Sequence, residues 1–157
     1  MINKTEIKKI GNKLIKKSFP ILRGKKIHIY YFSKGDLSGR SLWILPFFRI
    51  LFINKNRKFS KEELIGLLAH ELCHFETYQK RGWVKTFSLG LKYSFSSNFR
   101  KKEEYTVDKL AIQKNYARNI YKQRVLRWNS IDKNHKLKRV YMPPTEIKKY
   151  AKKIGKW

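Results

Sequence analysis

Acidic residues, cysteines and long apolar runs are all scarce in this sequence. Cys73 is the single cysteine, so no intramolecular disulfide forms. A chain with one thiol suits a reducing compartment, and the expected location is cytoplasmic. The longest apolar stretch, Leu42 to Ile53, is interrupted by Pro46 and Arg49. It is well short of the roughly 20 apolar residues that span a bilayer. No secretory signal is expected either, because Met1 to Lys17 alternates lysine with isolated apolar positions. Asp and Glu total 11 against 38 Lys and Arg, a formal charge of +27. Such a charge attracts polyanions, with nucleic acid and anionic membrane surfaces as the candidate partners. The lysines are spread along the chain rather than gathered in one tail, which also suits a solvated lysine-rich surface. No helix-turn-helix, zinc-knuckle or RNA-recognition signature accompanies the charge.

The remaining composition is that of a folded domain. Hydrophobic residues make up 41% of 157 positions, enough for one core and one domain. No internal repeat and no interdomain linker is visible. Asn3, Glu6, Ile7, Ile10 and Leu14 predict an amphipathic first helix. Ile27 to Phe32 reads as a strand. Arg40 to Leu45 and Phe48 to Asn54 read as two more, or as one broken at Pro46, whose missing donor favours an edge or a bend. Ser60 and Glu63 form a capping box ahead of Leu64, Leu67, Leu68 and Leu72, predicting a helix from about Lys61 to Gln79 with Gly82 as its stop. Trp83 to Asn98 suggests a long connection or a short helix. A second long helix is expected from about Phe99 to Arg124, then a break at Pro143-Pro144 and a short basic helix to Lys153. The expected fold class is α+β. A basic extension is expected from about residue 125.

The chemistry concentrates in His70-Glu71-Leu72-Cys73-His74. Two histidines four apart on a helix lie one turn apart on one face, so both imidazoles reach a single ion. Glu71 is rotated by about 100° from His70, misses the ion, and reaches a water beside it. A catalytic zinc site takes three protein ligands and leaves a position open. Lys80 occupies the position where a metzincin carries its third histidine. Glu104 is the best third ligand, because Asp108 follows it by one turn and can hold a histidine N–H from behind. Glu103 is the rival, without a carboxylate at i+4. Cys73 reads as a packed thiol and His28 as structural.

His70 to His74, with Glu104-Tyr105-Thr106-Val107-Asp108, resembles the gluzincin metallopeptidases, whose pattern is H-E-x-x-H followed by E-x-x-x-D. The likeness is greatest to the minigluzincins, small soluble relatives of the catalytic domains of membrane-embedded prenyl-protein and heat-shock peptidases. It covers roughly Ile50 to Lys122. Thr106-Val107 departs from the small and acidic residues often found there, and the segment after Arg124 has no counterpart. The resemblance implies a zincin-like fold: a small twisted, mostly antiparallel sheet over the active-site helix, and a second, glutamate-bearing helix. It also implies one zinc ion and hydrolysis of peptide or protein substrates. In that reaction Glu71 takes a proton from the attacking water and returns it to the leaving amine. The substrate is expected to pair with an exposed sheet edge at Phe48 to Asn54. His135, Tyr105 and Tyr141 are candidate donors to the oxyanion. Two further readings stay open: a nucleic-acid-associated zinc protein or protease, and a self-inhibited metalloprotein in which Glu146 or a neighbour folds back onto the site.

Overall fold

A computed structural model describes residues 3–45 and 47–157. The expectation for Pro46 therefore lies outside the described residues. The fold is α+β, with a three-stranded sheet in a mostly helical chain. In order it comprises α1 (Lys4–Ser18), a single 3-10 turn (Pro20–Leu22), β1 (Ile27–Phe32), β2 (Gly39–Leu45), β3 (Phe48–Asn54), α2 (Lys61–Arg81), α3 (Trp83–Phe95), α4 (Ser97–Ala111), a wide turn (Ile112–Tyr116), α5 (Ala117–Asn129), α6 (Lys136–Val140) and α7 (Pro144–Lys153).

The sheet order is β1-β3-β2, with β1 parallel and β2 antiparallel to β3. The sheet is thus mixed, not mostly antiparallel. Residues 33–47, including β2 itself, carry the chain between the two parallel strands, long enough for such a crossover. The expectation that Phe48 to Asn54 forms the edge is overturned, because β3 is the central strand. Its burial accounts for this. Ile50, Leu51 and Ile53 are all buried, as are Arg49 and Asn54, whereas β1 exposes Tyr30 and Tyr31. A strand covered on both faces belongs in the middle.

α2 runs through the centre of the molecule. Ser60 Oγ accepts from Glu63 N–H at 3.3 Å and Glu63 Oε2 accepts from Ser60 N–H at 2.7 Å, so the predicted capping box starts the helix. Every residue from Gly66 to Glu76 is buried. Leu64, Leu67, Leu68 and Leu72 join Ile7, Leu22, Ile29, Leu51 and Ile120 in one core cluster. α5 packs most extensively against α2. That approach depends on Gly66, where a Cβ would meet the Asn119 carbonyl oxygen at 2.3 Å.

The long helix expected from Phe99 to Arg124 is two helices. α4 ends at Ala111 and α5 starts at Ala117, and between them Asn115 takes left-handed backbone angles (φ 70°, ψ 27°). Asparagine tolerates that region far better than a branched residue does. Lys114 fastens the turn, donating to the Ser18 carbonyl at 2.7 Å and pairing with Glu76 at 2.9 Å. The stretch Trp83 to Asn98 contains the full helix α3. The segment after residue 125 is no appendage: Met142, Ile147 and Ala151 belong to the core.

Candidate metal centre

α2 presents His70 and His74 one turn apart, with ring centroids 4.9 Å from each other. α4 packs against α2 and carries Glu104 to the same point. His70 Nε2 lies 3.1 Å from Glu104 Oε2, and His74 Nε2 lies 3.5 Å from Glu104 Oε1. One ligand atom from each of the three residues falls within 4.8 Å of the others. All three side chains are buried, Glu104 to 1% exposure.

Two features fit this group to a metal ion. Ligands about 2.0–2.1 Å from one tetrahedral ion stand roughly 3.3 Å apart, and the two separations above bracket that value. The contact with His70 Nε2 is close but misaligned for hydrogen bonding, so the wholly buried Glu104 Oε2 has no hydrogen-bond partner. An acceptor without a donor is costly in a dry site, and a cation satisfies it. Imidazole and carboxylate together suit several divalent ions.

No family model, no curated protein and no solved structure matches this chain.

Asp108 sits behind His70, its Oδ1 2.8 Å from His70 Nδ1. This is the supporting contact expected from the spacing of Glu104 and Asp108. It keeps a proton on Nδ1 and leaves Nε2 as the ligating nitrogen. Asp108 is in turn held by Arg124, whose Nη2 donates to both carboxylate oxygens at 2.8 and 2.9 Å. Both partners are fully buried. Burial alone would lower the pKa of His70. The hydrogen bond and charge of Asp108, with the carboxylate of Glu104 close by, outweigh it and lift the pKa to about 10. Glu104 is held well below the usual carboxylate range: burial pushes it up, but both histidines pull it down further.

A ring of tyrosines encloses the site. Tyr93, on α3, donates its hydroxyl proton to Glu104 Oε1. The Tyr78 hydroxyl lies 3.4 Å from His74 Nδ1. The Tyr141 ring centroid is 6.0 Å from that of His70, and the guanidinium groups of Arg124 and Arg127 lie 4.6 and 4.3 Å from the Tyr141 ring. Burial, followed by the charge of Glu104, raises the pKa of all three phenols and keeps them protonated. Glu71 is buried on α2, and its Oε1 is 3.3 Å from the point where a Cβ on Gly39 would stand. Glu71 is thus set directly beneath β2.

Of the three candidate oxyanion donors, Tyr141 is the one shown against the site. Tyr105 turns to Glu146, which helps raise its pKa to about 12 after burial. His135 Nδ1 accepts from Leu137 N–H at 3.2 Å, so Nε2 carries the proton that faces Asp36 Oδ2 at 3.0 Å. Glu103, the rival ligand, is committed to Arg81 at 2.5 and 2.8 Å. Cys73 is packed in the core, where burial pushes its thiol pKa up. Glu146 is exposed and neighbours Tyr105, whereas Tyr141 of the same segment is the residue set against His70.

Tyr93, Tyr78 and Arg124 are the site residues that sequence reasoning missed. Tyr93 lies in a stretch without catalytic spacing, and Arg124 is one of 38 basic residues. Tyr78 carried a usable signal, standing one helical turn after His74.

Proposed function

We propose that this chain is a zinc-dependent endopeptidase of gluzincin type, with His70, His74 and Glu104 as ligands and Glu71 as general base and acid. The observation that carries this reading is the buried convergence of two helical imidazoles and a distant carboxylate, backed by Asp108 on His70 Nδ1. A bound zinc ion supplies a Lewis acid and an acidified water. The protein's own groups do the rest. Glu71 takes a proton from the attacking water and delivers it to the leaving amine. Tyr141, a protonated phenol beside His70, is the donor assigned to the developing oxyanion. β2 is an edge strand of the sheet, and Gly39 on it lets the strand backbone lie close over Glu71, whose Oε1 is 3.3 Å from where a Cβ would stand. An extended substrate adds to that edge by main-chain hydrogen bonds. A helix bearing both histidines beneath a small sheet, with a glutamate-bearing helix alongside, supports a zincin-like fold. The lone buried thiol of Cys73 fits a cytoplasmic setting.

The test pairs metal analysis with casein hydrolysis in the wild type and Glu71→Ala. Stoichiometric zinc is expected in both, with hydrolysis reduced about 10²–10⁴-fold or more in the variant. A protein that retains no zinc sinks the proposal. Equal hydrolysis by both proteins removes Glu71 from its role.

A further inference from the structure

α3 has an outer face with no counterpart elsewhere among the described helices. Val84, Phe87, Leu91 and Phe95 are 75%, 58%, 55% and 89% exposed. At about 100° per residue these four fall within an arc of about 80°. Tyr93 and the buried Thr86 lie on the opposite side, and Tyr93 reaches Glu104 from there. The stripe is therefore not a mis-turned core face, because the inward side of α3 is already occupied. Single exposed apolar residues are ordinary, but four in register along one helix mark a contact surface.

The surrounding charge says what that surface meets. Between Gly82 and Lys102 the chain carries Lys85, Lys92, Arg100, Lys101 and Lys102 and no Asp or Glu. Lys85 and Lys92 run along one flank of the stripe and are exposed, with Lys92 also lying over the Phe99 ring. The whole molecule carries +27. A second copy of this chain would bring like charges together around the stripe. Nucleic acid would use the cations and leave valine, leucine and two phenylalanines in water. An anionic bilayer surface satisfies both halves, taking apolar side chains below its headgroups and cations among them. α3 has 13 residues, about 20 Å of helix, and no helix among the described residues is long and apolar enough to cross a membrane. Attachment through this face is thus interfacial.

We infer that α3 docks the protein on anionic lipid surfaces, inserting Val84, Phe87, Leu91 and Phe95 at the headgroup boundary while Lys85 and Lys92 engage lipid phosphates or carboxylates. The inference stands apart from zinc and proteolysis. The test is sedimentation with mixed phosphatidylcholine–phosphatidylserine vesicles and with pure phosphatidylcholine vesicles. The proteins compared are the wild type, a Phe87→Ser/Leu91→Ser/Phe95→Ser variant and a Lys85→Glu/Lys92→Glu variant. Circular dichroism and thermal melting check that each is folded, which substitutions at exposed positions should preserve. The wild type is expected to bind the anionic vesicles, and both variants to bind them at least about tenfold more weakly. Failure of the wild type to bind either vesicle overturns the inference. So does binding by the serine variant equal to wild type, which would mean adhesion by charge alone. A wild-type dimer that the serine variant dissolves, without vesicle binding, would instead assign the stripe to self-association.

Discussion

At the residue scale, the site is a chain of polar contacts leading inward from the ligands. Arg124 holds Asp108, Asp108 holds His70, and His70 faces Glu104, which Tyr93 also holds. Two predictions belong here. In the metal-free chain His70 stays protonated up to about pH 10, yet only its neutral form ligates. Metal affinity is therefore expected to rise with pH toward that value. Below it, binding should release about one proton from this residue. Titration calorimetry of zinc at neutral pH in buffers of different ionisation enthalpy measures the release, and a heat independent of buffer would refute it. Tyr93→Phe removes a donor to Glu104 while keeping the ring. Loss of such a supporting contact typically weakens metal binding about 10–100-fold. Competition with a chromogenic chelator gives the ratio, and an unchanged affinity would dismiss Tyr93 as a support.

At the element scale, the position of the site depends on how closely helices approach and on where they break. Gly66 lets α5 touch α2, with the Asn119 carbonyl where a methyl group would sit. Gly66→Ala favours the isolated helix by about 1 kcal/mol. It nevertheless forces two backbones apart, and such overpacking typically costs about 1–3 kcal/mol. A net loss of stability in urea denaturation is expected, and a gain would show that α5 yields freely. The break at Asn115 explains the contact between Arg124 and Asp108. On one straight helix, 16 residues would place them about 24 Å apart. Reversing the chain at residues 112–116 brings the guanidinium to 2.8 Å.

At the scale of the whole molecule, the C-terminal third closes the core and walls the site. Arg127, Tyr141, Met142, Ile147 and Ala151 are all buried. Removing everything after Arg124 is expected to abolish cooperative thermal unfolding rather than to release a blocked enzyme. A truncated chain with a sharp transition and raised casein hydrolysis would favour self-inhibition. The capping box at Ser60 was legible beforehand, because it depends on side chains three residues apart on one helix. That Asp108 could support a histidine was legible too, but not that α4 would bring it to His70 rather than to His74. So were the strand-forming stretches, although Arg40 to Leu45 and Phe48 to Asn54 could equally have been one strand broken at Pro46. The strand order was not, since it follows from which strand is covered on both faces.

Local spacing along a helix was enough to group His70, Glu71 and His74, and to pair Glu104 with Asp108 one turn later. Helical geometry repeats within one turn, so those relations needed no partner element. Only the tertiary structure could place β3 at the centre, split the expected long helix at Asn115, bring Arg124 to Asp108 and set Tyr141 beside His70. Each of those outcomes joins residues far apart in the chain through packing. Among 38 similar cations and 9 tyrosines, sequence alone marks none as the one that arrives.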